Sequence, residues 1–196
     1  MIMFISDKFE IIAVTARLLC PRPLWKQIPY IRDAGITRVI LREKDLSPDD
    51  YTILAERVLR ACTEYDMQLT IHNFPETARA LGISSLHMPL PLLTESICYE
   101  FKTVGTSVHS AEQLRLAESL SADYVTAGHI YVTDCKKGLA PRGTAFLRDL
   151  CSRTELPVYA IGGITAEKIS ELRQTGAAGG CIMSSAMQLS QEFSIF

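Results

Sequence analysis

Apolar and polar positions divide the chain between short apolar runs and longer segments with helical periodicity. Eight of the short runs are β-rich, and most lack the strict alternation of a strand with one face in water. Continuous apolar character is typical of parallel strands that are covered on both faces. The pattern therefore predicts eight buried parallel strands. They lie at residues 11–15, 38–41, 68–71, 85–87, 103–108, 124–127, 158–161 and 180–183.

The segments between these runs carry start and stop signals of helices. Ser47 is followed by a proline and two aspartates, which predicts an N-cap, a proline at the first helical position and carboxylates in the first turn. Ser110 has a glutamine three residues later, the spacing of a capping box, and Thr165 precedes another predicted helix. Gly35 and Gly82 stand where helices should stop.

The repeated alternation of strand and helix predicts the architecture. Eight strand–helix units favour a closed (β/α)8 TIM barrel over an open doubly wound sheet. We expect a single α/β domain over residues 1–196, a length that buries one sizeable core. Because the chain ends soon after the eighth strand, the final helix should be short. That leaves one flank of the barrel uncovered, so contact between copies in a homo-oligomer is a further expectation.

All four histidines stand at or just after the ends of predicted strands. His72, His87, His109 and His129 belong to the third, fourth, fifth and sixth strands, so the fold would gather them at the rim where barrels carry their chemistry. Imidazole titrates near neutral pH, which indicates proton transfer. His109 precedes the Ser110 cap and is the preferred catalytic residue. His72 and His87 are expected as hydrogen-bonded rim or core residues, with His72 kept as an alternative site residue, while His129 either contacts a ligand or packs.

A zinc site is the alternative interpretation of these imidazoles. Three or four histidines at one rim have the ligand type that zinc prefers. The strands bring no obvious supporting carboxylate to that rim, so the sequence predicts no metal site.

The loops after the last two strands have the composition of a phosphate site. Gly162 and Gly163 follow the seventh strand, and Ser184 and Ser185 follow the eighth. Glycine lets backbone N–H groups approach an anion, a helix N-terminus adds partial positive charge, and barrels often bind phosphate with these two loops. The alternative is a tight turn with no ligand.

Cations cluster at the same predicted rim. Thr133 and Lys136 lie in the longest irregular stretch, after the sixth strand, which suits an anionic ligand unless it is only a solvated basic loop. After the second strand, alternation places Arg42 and Lys44 on one face and turns Glu43 outward.

Composition excludes several other function classes. A net charge of −2 and a pI near 6.1 give no basic stripe for a nucleic-acid backbone. No apolar stretch reaches the length of about 18 residues that crosses a bilayer. Six cysteines without a close pair, and without a secretory sequence before them, are typical of reduced thiols. We therefore expect a cytoplasmic protein that binds neither nucleic acid nor membrane.

Several motifs occur in one order that resembles thiamine phosphate synthase and its TenI-type relatives. They are residues 42–45, 105–110, 122–125, 133–138, 141–143 and 160–164. The resemblance runs from the second strand to the eighth and implies a (β/α)8 barrel with a small-molecule thiazole phosphate ligand.

Three positions depart from the synthase branch, which joins a pyrimidine diphosphate to thiazole phosphate with Mg²⁺. The resemblance implies an Asn-Asp pair after the third strand and a second aspartate after the fourth, where this chain has His72-Asn73 and Leu92. A glutamine expected two residues before the arginine is Ile40. Both carboxylates for the metal are missing, so synthase activity is not expected.

The loop after the sixth strand and the motif around His109 resemble the TenI branch more closely. TenI-type proteins are thiazole tautomerases, isomerases that convert an exocyclic dihydrothiazole carboxylate phosphate into the aromatic carboxythiazole phosphate without metal or redox cofactor. The resemblance implies that His109 is the acid–base and that Arg42 and Lys44 meet the substrate carboxylate. It assigns the phosphate to Gly162, Gly163, Ser184 and Ser185, with help from Thr133 and Lys136. The alternatives are a residual synthase and a non-catalytic regulatory protein that binds thiazole phosphate.

Overall fold

Eight parallel strands close into a barrel in chain order, with the first paired to the last. The computed structural model describes residues 9–133, 136 and 138–190. The strands are β1 (Glu10–Val14), β2 (Arg38–Leu41), β3 (Gln68–His72), β4 (Ser85–Met88), β5 (Thr103–Val108), β6 (Tyr124–Gly128), β7 (Val158–Ile161) and β8 (Gly179–Ile182). The predicted barrel is confirmed, and every predicted strand boundary lies within one residue of the observed one. Both ends of the predicted domain, residues 1–8 and 191–196, lie outside the described residues.

A helix follows each strand and covers the outside of the barrel. The helices are α1 (Leu24–Asp33), α2 (Pro48–Glu64), α3 (Pro75–Ala80), α4 (Glu95–Glu100), α5 (Ala111–Ser119), α6 (Gly143–Cys151), α7 (Ile169–Arg173) and α8 (Ser184–Met187). With four residues, α8 confirms the expected short final helix. None of the helices formed by the described residues has the length and apolar character needed to span a membrane.

The predicted helix signals act as expected with one exception. Ser47 and Ser110 each accept a hydrogen bond at Oγ from the backbone N–H three residues later, at 3.2 Å. Gly35 and Gly82 have positive φ just after α1 and α3 end. Thr165 precedes a 3₁₀ turn that leads into α7, but its side chain forms no capping hydrogen bond.

Two apolar layers hold the barrel together. The larger lies between strands and helices, and a smaller one fills the barrel with side chains that include Ile12, Ile40 and Tyr124. Gly105 makes room for the Tyr124 ring, because a Cβ there would lie 2.0 Å from the ring. Arg38 lies below, its guanidinium 4.4 Å from the Tyr124 ring centroid, and forms a floor beneath the rim.

Candidate active site at the barrel mouth

Two of the four histidines lie side by side inside the upper barrel. His72 ends β3 and pairs in register with His87 on β4. Their rings stack with centroids 5.7 Å apart and planes 19° apart, and both side chains are buried. The pairing follows from parallel strands of matched register, which point equivalent residues to the same side.

The His87 ring has a hydrogen-bond partner at each nitrogen. Its Nδ1 lies 3.0 Å from the Tyr124 hydroxyl and its Nε2 lies 2.9 Å from Ser107 Oγ. Ser107 Oγ in turn lies 2.9 Å from Thr126 Oγ1. Burial, followed by the nearby His72 and cations, lowers the pKa of His87 to about 3. His87 is thus a neutral, hydrogen-bonded core residue, as expected.

His72 differs from its neighbour in its hydrogen bonding. Its backbone N–H donates to the Tyr51 hydroxyl at 3.2 Å, but no hydrogen bond joins its ring to another residue in the described part of the chain. Burial, and then the charges of Arg42 and Lys44, lower the pKa of His72 to about 4. The ring is therefore neutral at physiological pH.

The His109 ring stands exposed at the end of β5 with one nitrogen fixed. Its backbone N–H donates to Gln113 Oε1 at 2.6 Å, and its Nδ1 lies 2.7 Å from the Gly128 carbonyl oxygen. A carbonyl only accepts, so Nδ1 carries the proton in this contact and the neutral ring keeps Nε2 as an acceptor. His129 lies near the same rim, half-buried, with Nε2 3.4 Å from the Leu139 carbonyl oxygen, a weak contact.

Three cations lie close together, and two of them, Arg42 and Lys44, act on the His72 and His87 imidazoles. Partial burial, and then the positive charges of Arg42 and Lys136, lower the pKa of Lys44. Arg42 is half-buried, whereas Lys44 and Lys136 are exposed. Like charges gathered in this way attract an anion, and a guanidinium also offers paired donors for a carboxylate or phosphate.

A buried carboxylate holds the segment that carries Arg42 and Lys44. Glu43 was expected to turn outward, but only 4% of it is exposed. It accepts hydrogen bonds from Thr15 Oγ1 at 2.6 Å and from the backbone N–H and guanidinium of Arg17 at 3.0 and 3.1 Å. Thr15 Oγ1 also accepts from the Arg42 N–H at 2.9 Å. Donors from the loop after β1 thus explain why Glu43 is buried.

The glycine turn after β7 packs against the loop after β6. Gly162 and Gly163 have φ of +100° and +66°. A Cβ would lie 2.4 Å from the His129 Cβ at the first position and 2.3 Å from the Val132 carbonyl oxygen at the second. Loop packing alone therefore requires both glycines, and phosphate binding stays a prediction. The Lys168 ammonium donates to the Gly163 carbonyl at 2.7 Å, a cation that the sequence analysis missed.

The remaining predicted phosphate residues lie on loops at the same end of the barrel. Ser184 and Ser185 follow β8 and open α8, the first exposed and the second half-buried. The Thr133 carbonyl accepts from the Lys136 N–H at 3.1 Å in the loop after β6. Residues 134, 135 and 137 of the motif at 133–138 lie outside the described residues.

Comparison with known proteins decides the family. The family model described as "Thiamine monophosphate synthase" matches residues 11–186. This chain is a member of that family. The assignment confirms the broad resemblance seen in the sequence and places the chain among enzymes.

Relatives within the family bear the name synthase. The chain is 29% identical over 190 residues to the thiamine-phosphate synthase of Syntrophomonas wolfei, covering 93% of this chain and 90% of the relative. It is 31% identical over 190 residues to that of Desulfitobacterium hafniense strain Y51, covering 94% and 91%. A thiamine phosphate pyrophosphorylase from Pyrococcus furiosus has the same fold, with a TM-score of 0.80 at 24% identity over 92% of this chain and 88% of the other.

The residues present do not fit the Mg²⁺ site that the synthase branch of this family implies. Where carboxylates are expected, His72 has a buried imidazole, Asn73 an amide and Leu92 a half-exposed aliphatic side chain. Within residues 9–133, 136 and 138–190, no group of three histidine, cysteine, aspartate or glutamate side chains is arranged to hold a metal ion.

Proposed function

We propose that this family member is a thiazole tautomerase, an isomerase that converts the exocyclic dihydrothiazole carboxylate phosphate into the aromatic carboxythiazole phosphate. The observation that carries the proposal is the state of His109. Its Nδ1 is held by the Gly128 carbonyl, and its Nε2 is left as an acceptor at the barrel mouth. A base held in this way, at the same end of the barrel as Arg42 and Lys44, suits proton abstraction next to a carboxylate.

The proposed reaction is a proton shift between two carbons of the substrate. His109 Nε2 takes the proton from the ring carbon that bears the carboxylate, and the released electron pair forms a double bond within the ring. The double bond already in the ring shifts to the carbon that bore the exocyclic double bond, and the electron pair of the exocyclic double bond forms a new C–H bond at its outer carbon with a proton from the His109 imidazolium. The atoms and charges balance with one histidine and no second reactant, and aromatisation drives the reaction forward.

The cations supply the binding energy and stabilise the charge that develops. Arg42 and Lys44 attract the carboxylate, next to which negative charge accumulates as the C–H bond breaks. Lys136, together with Thr133, Gly162, Gly163, Ser184 and Ser185, is proposed to hold the phosphate. Preorganised positive charge acts in the transition state, and so it raises the rate as well as the affinity.

Thiamine phosphate synthase is the second candidate, favoured by the names of the relatives. The replacements at His72, Asn73 and Leu92 argue against it, because that reaction needs a metal to neutralise the departing pyrophosphate. A regulatory protein that binds thiazole phosphate without turnover is the third.

The deciding experiment supplies each set of substrates to the purified protein. Ultraviolet absorbance should show conversion of the exocyclic isomer into the aromatic thiazole. A parallel assay with thiazole phosphate, the pyrimidine diphosphate and Mg²⁺ should yield no thiamine phosphate above background. Thiamine phosphate formation without isomerisation would establish the synthase instead, and binding without either reaction would favour the regulatory protein.

A further inference from the structure

Two neighbouring buried histidines differ in whether their rings have partners. Both His87 nitrogens have hydrogen-bond partners, whereas the His72 ring has none among the described residues. Only 6% of His72 is exposed. Buried polar groups in proteins nearly always have a hydrogen-bond partner. An imidazole without one on another residue therefore indicates a role in binding a ligand.

The His72 ring lies close to two of the cations at the barrel mouth. It ends β3, beside the strand that leads into Arg42 and Lys44, and both cations are near enough to lower its pKa. Its nitrogens are not fully enclosed, in contrast to Nε and Nη2 of Arg38, which are buried without partners in the barrel floor. The ring nitrogens are therefore partly accessible, and they lie near the two cations that attract an anion.

We propose that His72 is a second substrate-contacting imidazole, which donates a hydrogen bond to the carboxylate that Arg42 and Lys44 attract. This inference rests on the proposed function, since the carboxylate is the group that distinguishes the tautomerase substrate. A neutral imidazole always keeps one N–H donor. That donor has a fixed direction, because the ring is stacked on His87, whereas the cations on longer side chains supply charge with less directional control.

The proposal makes His72 a specificity-determining residue rather than a proton carrier. Its hydrogen bond would be made to the carboxylated thiazole phosphate and lost with the decarboxylated thiazole phosphate, which lacks the acceptor. A purely structural His72 would affect the two ligands equally.

Calorimetric titration of both ligands into the wild type and two variants tests this role. His72→Phe keeps a ring but removes the donor, and it should weaken binding of the carboxylated thiazole phosphate by about tenfold or more, the effect of a hydrogen bond to a charged group. Binding of the decarboxylated ligand should change less than twofold. His72→Asn restores a donor and should recover part of the loss. Equal weakening of both ligands, or of neither, would overturn the proposal.

Nuclear magnetic resonance of the wild-type protein gives an independent answer that needs no variant to fold. The imidazole N–H signal of His72 should shift when the carboxylated ligand is added and stay in place with the decarboxylated one. An unmoved signal with both ligands would reject the contact.

Failure of the tautomerase proposal would look different from failure of the His72 contact. Wild-type protein that binds the carboxylated ligand selectively but does not isomerise the exocyclic substrate would disprove the enzyme and retain the contact. Full isomerisation by the wild type, combined with equal weakening of both ligands in His72→Phe, would retain the enzyme and disprove the contact.

Discussion

His87 and His109 stand on neighbouring strands and are suited to opposite tasks. The His87 ring is enclosed, and both of its nitrogens are engaged by Tyr124 and Ser107. The His109 ring is at the surface, and one nitrogen is held by the Gly128 carbonyl while the other is left as an acceptor. A ring with both nitrogens occupied stabilises the fold, whereas a ring with one fixed and one open nitrogen can exchange a proton with a substrate.

Replacement of the open imidazole should have the largest effect. His109→Gln is expected to lower the isomerisation rate by about 10²–10⁴-fold, the usual contribution of a positioned acid–base. Ligand affinity from calorimetry should stay within a few-fold, and thermal unfolding should be unchanged because the ring is exposed. Equal rates in the variant and the wild type would remove His109 from the mechanism.

Replacement of the enclosed imidazole should affect stability instead. His87→Phe removes the ring that partners the Tyr124 hydroxyl and one of the two contacts of Ser107 Oγ, which keeps Thr126. The free energy of unfolding should fall by about 1–3 kcal/mol, measured by urea denaturation. The double variant His87→Phe/Tyr124→Phe removes one orphaned hydroxyl along with the histidine. Its loss of unfolding free energy should be smaller than the sum of the losses in the two single variants. An additive result would mean that the His87–Tyr124 contact has little energetic weight.

The enclosed position of His87 should also make the stability of the fold depend on pH. The folded pKa of His87 is about 3, against 6.5 for a free imidazole, so below pH 6.5 the unfolded chain binds a proton that the folded chain does not. The contribution of the neutral, buried His87 ring to the free energy of unfolding is complete above pH 6.5 and is lost as the pH falls toward 3. Between pH 6 and 4, His87→Phe should reduce the slope of unfolding free energy against pH by about 1.4 kcal/mol per unit. Urea denaturation at several pH values measures it, and parallel curves would contradict the depressed pKa.

Replacement of Glu43, the carboxylate that holds the segment with Arg42 and Lys44, should have the smallest effect. Glu43→Gln weakens the contacts to Thr15 and Arg17 and should lower kcat/KM in steady-state assays by about three- to tenfold, because the cations it holds act on both binding and rate. Glu56→Gln is the matched control, because its exposed carboxylate pairs with Arg60 on the same helix, α2. An equal change in both variants would show that the loss of charge, rather than of the hydrogen bonds, is responsible.

The fold could be predicted because its signals are local. Apolar runs, capping serines and glycines at helix ends each act within a few residues, and so the strand boundaries agree to within one residue. The gathering of the four histidines follows from the same logic, since it requires only that each stands near the end of a parallel strand.

The details of the site depend on residues distant in sequence. Glu43 is buried because it accepts hydrogen bonds from Thr15 and Arg17, which are 28 and 26 residues away in the sequence. The local sequence pattern around Glu43 does not predict these donors. Gly162 and Gly163 give the same sequence signal whether they cradle phosphate or pack against a loop. Among the described residues, the contrast between the partnered His87 ring and the His72 ring without a partner on another residue emerges only from the three-dimensional packing of β3 and β4.

The crowding of Arg42, Lys44 and Lys136 gives ligand capture a proton requirement. In the free protein partial burial, and then repulsion from Arg42 and Lys136, lower the pKa of Lys44 below that of an isolated lysine. An arriving dianion offsets the repulsion and raises the affinity of the amine for its proton. Under alkaline conditions the protein therefore takes up a fraction of a proton with each ligand, and the heat released depends on the ionisation enthalpy of the buffer.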